Sequence, residues 1–323
     1  MLLAGDVGGT KTIVGLFTRG TVRPAIVHTK TYRTTDYPSL SALSQQFLRD
    51  TSTRPSDIEA ASFGVAGPVD GTRAKLTNVP WLVDLDAMRR DVPVRRAHLL
   101  NDLEALAWSI AVLHPDEVAV LHEGTTDPGG NVGLIAAGTG LGIAVLPNIG
   151  GRLVPRASEG GHADFAARTD AEQRLAIALT KEFGRVDVER VVSGPGLAHI
   201  YRLLYPHQCA TLTPLPRTAE LPAAVTRAAF EAGCRECTRT LEVFVSAYGA
   251  AAGNLALTVL STGGIYLGGG IAPRILPALR WPVFMRAFLD KSPLDDLIAR
   301  IPVKVILNPA AGLLGAATYA QSV

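Results

Sequence analysis

Two stretches decide how this chain folds: Leu2–Phe17, LLAGDVGGTKTIVGLF, and Asn131–Leu146, NVGLIAAGTGLGIAVL. Each reads as an apolar strand, a tight Gly/Thr turn and a second apolar strand. Glycine lacks a Cβ and tolerates positive φ, so such turns bare backbone N–H groups against which an anion sits directly. Two such hairpins in one chain point to a nucleotide held between two similar lobes.

The first turn lies in Gly5-Asp6-Val7-Gly8-Gly9-Thr10-Lys11-Thr12 and superficially resembles a P-loop. That motif needs Gly immediately before Lys and a helix afterwards. Here Thr10 takes the glycine position and Thr12–Phe17 is a β-branched run, so the glycines form a hairpin tip. A carboxylate amid apolar residues is costly without a partner, and Asp6 beside a phosphate loop suits hydrated Mg2+. The second turn, Gly138-Thr139-Gly140-Leu141-Gly142, fails the dinucleotide fingerprint because Ile143 stands where a further glycine is wanted. Its weight comes from repeating the first. Gly268-Gly269-Gly270 follows the strand-like Ile265–Leu267 and precedes an expected helix. It reads either as a place where nucleotide approaches the backbone or as an ordinary strand-to-helix turn.

Working outward, a third strand over Val27–Tyr32 completes a meander, and Tyr37–Thr51 reads as a helix with Leu40, Leu43, Phe47 and Leu48 on one face. Strands follow at Ala60–Val65, Leu76–Thr77 and His98–Leu100, then a helix from Leu103 to Leu113. The pattern restarts with strands at Val118–His122 and Val132–Leu146, and the second half is largely helical: Asp170–Phe183, Val188–Val192 leading toward Pro195–Leu204, Leu221–Ser261, Arg274–Leu279 and Val283–Phe288. Strand Val303–Leu307 and the small-residue helix Ala310–Ala320 close an α/β lobe, and Pro206–Pro222 is the expected irregular loop.

The 323 residues favour two domains. Lys plus Arg number 31 against 29 Asp plus Glu, and no basic stretch interleaves with aromatics, which argues against nucleic acid. MLLAGDVGG has no basic n-region, so a cytoplasmic protein is expected. The charge-free stretch Val243–Pro273 is broken by glycines into helix, turn and strand, so no membrane span is expected. Cys209, Cys234 and Cys237 are too few for a disulfide framework and fit a reducing compartment. Cys234-x-x-Cys237 puts two sulfurs one helical turn apart, but a structural zinc site needs further ligands and no second pair exists, so ordinary helix cysteines are expected.

Asn101-Asp102 follows an apolar strand and opens a helix. Asp102 there is either a general base at the carboxyl end of a strand or a helix cap. Ser158-Glu159-Gly160-Gly161-His162 sets an acid and an imidazole in a glycine-rich loop suited to a hydroxyl-rich ligand.

Taken in order, GDVGGTKT (5–12), FGVAGPV (63–69), LTNVPW (76–81), LNDLEA (100–105), GTGLG (138–142), SEGGHADF (158–165), ERVVSGPGL (189–197), Ala252–Leu257, YLGGGIAPR (266–274) and NPAAGLLGAA (308–317) make the chain resemble bacterial ATP-dependent glucokinases of the actin-like, hexokinase-type superfamily, essentially end to end. The resemblance implies a two-lobed actin-like ATPase (ribonuclease H-like) α/β fold with mixed sheets and a cleft between lobes, divided as 1–104 plus 303–323 and 105–302. It implies that Asn101, Asp102, Glu159, His162 and Glu189 surround glucose, with Asp102 accepting the 6-hydroxyl proton. Gly8, Gly9, Thr10, Lys11, Gly138 and Thr139 would contact ATP phosphates, Gly268, Gly269 and Gly270 would line the adenosine pocket, and Asp6 would position Mg2+ through water. It further implies a homodimer. Kinases of other hexoses or amino sugars, and a sugar-responsive regulator of the same fold, are the alternatives.

Three departures stand out. Ala136-Ala137 precede Gly138 where relatives often carry proline or glycine, and Pro206–Pro222 matches poorly. The cysteine-rich zinc motif that ROK sugar kinases carry after their Glu-x-Gly-His does not follow His162, which favours the glucokinase branch.

Overall fold

Strand β1, Leu2–Val7, is buried along its whole length except at Asp6, as expected of a strand flanked on both edges and covered on both faces. The computed structural model describes residues 1–76, 79, 81–205 and 209–323. Thr77, Asn78 and Pro80 of the LTNVPW motif and of the expected strand Leu76–Thr77 lie outside the described residues, as do Pro206, His207 and Gln208 of the expected loop. The chain divides into two compact units, Met1–Pro115 with Asn308–Val323, and Asp116–Leu307.

In the first unit β1 is followed by β2 (Lys11–Thr18), β3 (Ala25–Arg33), α1 (Leu40–Asp50), β4 (Ala60–Val65), the short strands β5 (Val69–Asp70), β6 (Arg73–Lys75) and β7 (Leu82–Asp84), α2 (Leu85–Asp91), β8 (Arg96–Asn101) and α3 (Asp102–Ser109). The main sheet has the order β3-β2-β1-β4-β8. β1 runs antiparallel to β2 and parallel to β4, which is parallel to β8, so the sheet is mixed. One of its faces carries a core of Leu3, Val14, Leu43, Phe47 and Phe63; the other buries Leu2, Phe17 and Leu100 against Leu313, Ala316 and Ala320. The latter three come from the last helix of the chain, whose small residues let it lie close: a side chain at Gly315 would run into the Ala105 carbonyl of α3.

The second unit repeats the plan. It holds β9 (Val118–His122), β10 (Val132–Ala137), β11 (Leu141–Leu146), β12 (Asn148–Ile149), β13 (Arg152–Leu153), β14 (Arg156–Ser158), α4 (Asp170–Phe183), α5 (Gly194–Leu204), α6 (Leu221–Phe230), α7 (Arg235–Val259), β15 (Gly264–Gly268), α8 (Leu276–Leu279), α9 (Pro282–Leu289), α10 (Asp295–Ile298) and β16 (Val303–Ile306); α11 (Ala311–Ser322) then completes the first unit. The sheet order is β14-β11-β10-β15-β16-β9, with β10 antiparallel to β11 and parallel to β15. β1–β2 and β10–β11 are therefore equivalent hairpins, each turning through three residues, Gly8–Thr10 and Gly138–Gly140. Asp6 and Ala136 hold the same register position, one before the last residue of the leading strand.

Two expectations are corrected. Leu221–Ser261 is not one helix, because Gly233 at φ +59° reverses the chain between α6 and α7. Val188–Val192 is a turn rather than a helix, closed by the amides of Val191 and Val192 on the Val188 carbonyl. The charge-free stretch covers the later part of α7, from Val243 on, then a turn and β15, and among the described residues no helix is long and apolar enough to cross a membrane.

Candidate active site

The first hairpin tip is braced from below. The Gly8 amide donates to the Lys11 carbonyl at 3.0 Å, closing the turn, and the Thr34 hydroxyl donates to the Gly8 carbonyl at 2.8 Å. Thr34 is fully buried and also contacts the buried Thr12 hydroxyl at 2.9 Å. These bonds leave Thr10 and Lys11 exposed at a rigid tip. Immediately before it, Asp6 faces the first turn of α11: a Cβ built on Gly312 would stand 3.1 Å from Asp6 Oδ2. Burial, then the charge of Asp102, push the Asp6 carboxyl up to about 6, while Lys11 pulls the other way. Asp6 and Asp102 thus share one electrostatic environment although 96 residues separate them in sequence.

β8 ends by handing its last residue to a cap. Asn101 Oδ1 accepts the Leu103 amide at 3.0 Å and Asn101 Nδ2 donates to the Gly67 carbonyl at 3.3 Å, so Asn101 is the N-cap of α3. Asp102 is the first helical residue; one of its oxygens also accepts the Leu103 amide at 2.9 Å. With the cap supplied by Asn101, the choice left open at Asp102 tilts toward chemistry. Its carboxyl opens to solvent, yet the protein around it raises its pKa, a desolvation effect that the Leu103 amide only partly offsets.

In the second unit the tip is braced by Glu189 and α5. The Leu141 amide donates to Glu189 Oε2 at 2.8 Å, and the Gly194 amide, first in α5, donates to the Gly138 carbonyl at 2.8 Å. The positive end of α5 is therefore set at the turn expected to receive phosphate, where a helix N-terminus favours negative charge. The Gly268–Gly270 turn docks at the same strand end: the Ile271 amide donates to the Ala137 carbonyl, and Gly269 has φ +80° with that carbonyl where a Cβ would go. Only glycine fits there.

Glu159 precedes and His162 ends the short turn Gly160–His162, and the Glu189 amide donates to the Gly161 carbonyl at 2.9 Å, so the structure gathers Glu159, His162 and Glu189. Sequence reasoning missed Asp187. Its Oδ2 lies 3.0 Å from His162 Nδ1, and its Oδ1 accepts the Arg190 amide. That hydrogen bond, with the charges of Glu189, Asp187 and Glu159, raises the His162 pKa despite the opposing burial. The only hint in sequence was an acid two residues before Glu189. The remaining expected residues fall into two sets, Asp6, Gly8–Lys11, Asn101 and Asp102 in the first unit, and Gly138, Thr139, Glu159, His162, Glu189 and Gly268–Gly270 in the second.

The comparisons agree with this architecture. The Glucokinase family model matches residues 3–323. A glucokinase from Synechocystis sp. is 39% identical over 344 residues, covering 98% of this chain and 97% of that protein. Among solved structures, a glucokinase from an Antarctic psychrotroph superposes with a TM-score of 0.87 at 29% identity, covering 100% of this chain and 99% of its own. A ROK family glucokinase from Streptomyces griseus, solved in complex with glucose and AMPPNP, shares the fold with a TM-score of 0.65 at 22% identity, covering 100% of this chain and 99% of its own. With a family model spanning the chain and relatives this similar along their whole length, the chain belongs to the glucokinase family.

Proposed function

We propose that the protein transfers the γ-phosphoryl group of ATP to the 6-hydroxyl of D-glucose, giving glucose 6-phosphate and ADP. The observation that carries this reading is Asp102: a carboxylate with a raised pKa at the carboxyl end of β8, whose neighbour Asn101 takes over the capping role. As the sugar oxygen attacks, Asp102 accepts its proton. A positioned base of this kind contributes about 10²–10⁴-fold. Asn101, Glu159, His162 and Glu189 hold the other hydroxyls, and the bond from His162 to Asp187 fixes the imidazole.

Phosphates are received by backbone groups at Gly9, Thr10 and Gly138-Thr139 and by Lys11, while the Gly268–Gly270 turn lines the adenosine pocket. Gly8 serves by shaping the tip, since its amide is bonded to Lys11. Asp6 fits a hydrated Mg2+: it is an anion whose pKa is lifted by burial and by a second carboxylate, an environment that a cation relieves. Bound with ATP, that ion supplies neutralisation of the phosphate charge. A homodimer, expected from the resemblance, is tested by light scattering.

The test is glucose-dependent ADP release in a coupled assay, with and without EDTA, across a panel of glucose, mannose, fructose, glucosamine and N-acetylglucosamine. The reading expects the highest kcat/KM with glucose. A preference for an N-acetyl sugar would overturn the substrate, and no sugar-dependent ADP release would overturn the activity.

A further inference from the structure

Cys234 and Cys237, read from sequence as ordinary helix cysteines, form a trio with Cys209. Cys234 is the N-cap of α7, Cys237 lies in its first turn, and Cys209 precedes the turn Ala210–Leu212 on a separate stretch 25 residues upstream of Cys234. Cys209 Sγ is 2.7 Å from Cys234 Sγ and 3.8 Å from Cys237 Sγ, and all three sulfurs fall within 4.8 Å of one another. Cys209 and Cys237 are buried and Cys234 is half-buried.

We propose that Cys209, Cys234 and Cys237 bind one Zn2+ ion that ties the 209–220 stretch to the base of α7, a site separate from the sugar and nucleotide residues. A tetrahedral centre with Zn–S bonds of about 2.3 Å places its sulfurs about 3.8 Å apart. The Cys209–Cys237 separation of 3.8 Å already matches this, and Cys234, the least buried of the three, is the side chain that has to swing outward. Glu236 Oε2, 3.5 Å from Cys234 Sγ, supplies the fourth ligand or holds a water there.

Two features favour the ion over three neutral thiols. First, Cys-x-x-Cys sits at the N-terminus of a 25-residue helix, whose dipole stabilises thiolate. Second, Cys209 reaches the pair from a separate stretch of chain, so that a third sulfur lies 2.7 Å from Cys234 Sγ and 3.8 Å from Cys237 Sγ. The trio therefore brings three sulfur donors within 4.8 Å of one another. On binding, the three thiols release their protons to solvent and the cation takes their place. A Cys209–Cys234 disulfide would use only two of the three sulfurs and leave Cys237 buried beside it.

The experiment uses the full chain purified under reducing conditions without chelator. Elemental analysis is expected to give about one Zn2+ per chain. Adding Co2+ to metal-free protein should produce thiolate-to-cobalt charge-transfer absorption that Zn2+ bleaches. Cys209→Ala and Cys237→Ala should each weaken Zn2+ binding at least tenfold and abolish the Zn2+-dependent rise in Tm, with kcat for glucose unchanged. Folded wild-type protein that gives neither stoichiometric zinc nor the cobalt spectrum overturns the proposal. So does thiol trapping in cells that finds Cys209 and Cys234 joined as a disulfide.

Discussion

His162 Nδ1 stands 3.0 Å from Asp187 Oδ2, and because a carboxylate only accepts, that nitrogen carries the proton and Nε2 is left to meet a ligand. Asp187 is only 13% exposed against 52% for the imidazole, so the acid is the fixed partner. Asp187→Asn should lower the His162 pKa toward its ordinary value, read by NMR titration, and raise the glucose KM about tenfold with a smaller change in kcat. An unmoved His162 titration would show that the pair is not coupled. The sign follows from the raised pKa: the extra stability of the charged pair is present below pH about 6.5 and is lost as pH climbs through the elevated value.

Asp102→Ala should lower kcat by about 10²–10⁴-fold while leaving the ATP dissociation constant within a factor of about three. Asn101→Ala should raise the glucose KM and also cost stability, on the order of 1 kcal/mol, through loss of the α3 cap. Steady-state kinetics and thermal melts separate the two. A kcat for Asp102→Ala within tenfold of wild type would remove this residue from proton transfer.

Asp6 combines a cost and a use. Its carboxyl titrates near about 6 rather than 3.8, so the folded state gains from its protonation at low pH and loses that gain as pH rises through about 6. In metal-free buffer, Asp6→Asn should therefore melt above wild type at pH about 8, by on the order of 2 kcal/mol, with the gap closing near pH about 4. Mg2+-dependent turnover should fall at least tenfold. A variant less stable than wild type at both pH values would contradict the placement of Asp6 as a penalised buried acid.

Gly269→Ala forces a Cβ toward the Ala137 carbonyl at φ +80° and should destabilise by more than about 1 kcal/mol. Its effect on catalysis should appear first in the KM for ATP. Gly270, with nothing within 4 Å of a built Cβ, provides the control: Gly270→Ala should leave the melt unchanged.

The hairpins were legible because glycine and β-branched residues act locally, and their repetition survives in the register of Asp6 against Ala136. Asn101-Asp102 was legible as a strand-to-helix junction, but only geometry shows that the first residue caps and the second does not have to. Asp187 stayed hidden because its importance comes from a side-chain bond across 25 residues, which no periodicity records. Cys209 was set aside for the same reason: motif spacing sees Cys234-x-x-Cys237, while the third sulfur arrives through tertiary folding past the break at Gly233. That break was itself missed, since an apolar pattern on both sides made one long helix the simpler reading.

The last helix has a bearing on how the chain is made. α11 covers Leu2, Phe17 and Leu100 and brings Gly312 to Asp6, yet the ribosome synthesises it only after the entire second unit. During translation the opening strands must wait with one greasy face bare, exposed to aggregation and to chaperones. Assembly of the corner where Gly312 meets Asp6 is thus deferred until α11 has emerged, so a nascent chain arrested before that helix should be unable to phosphorylate glucose.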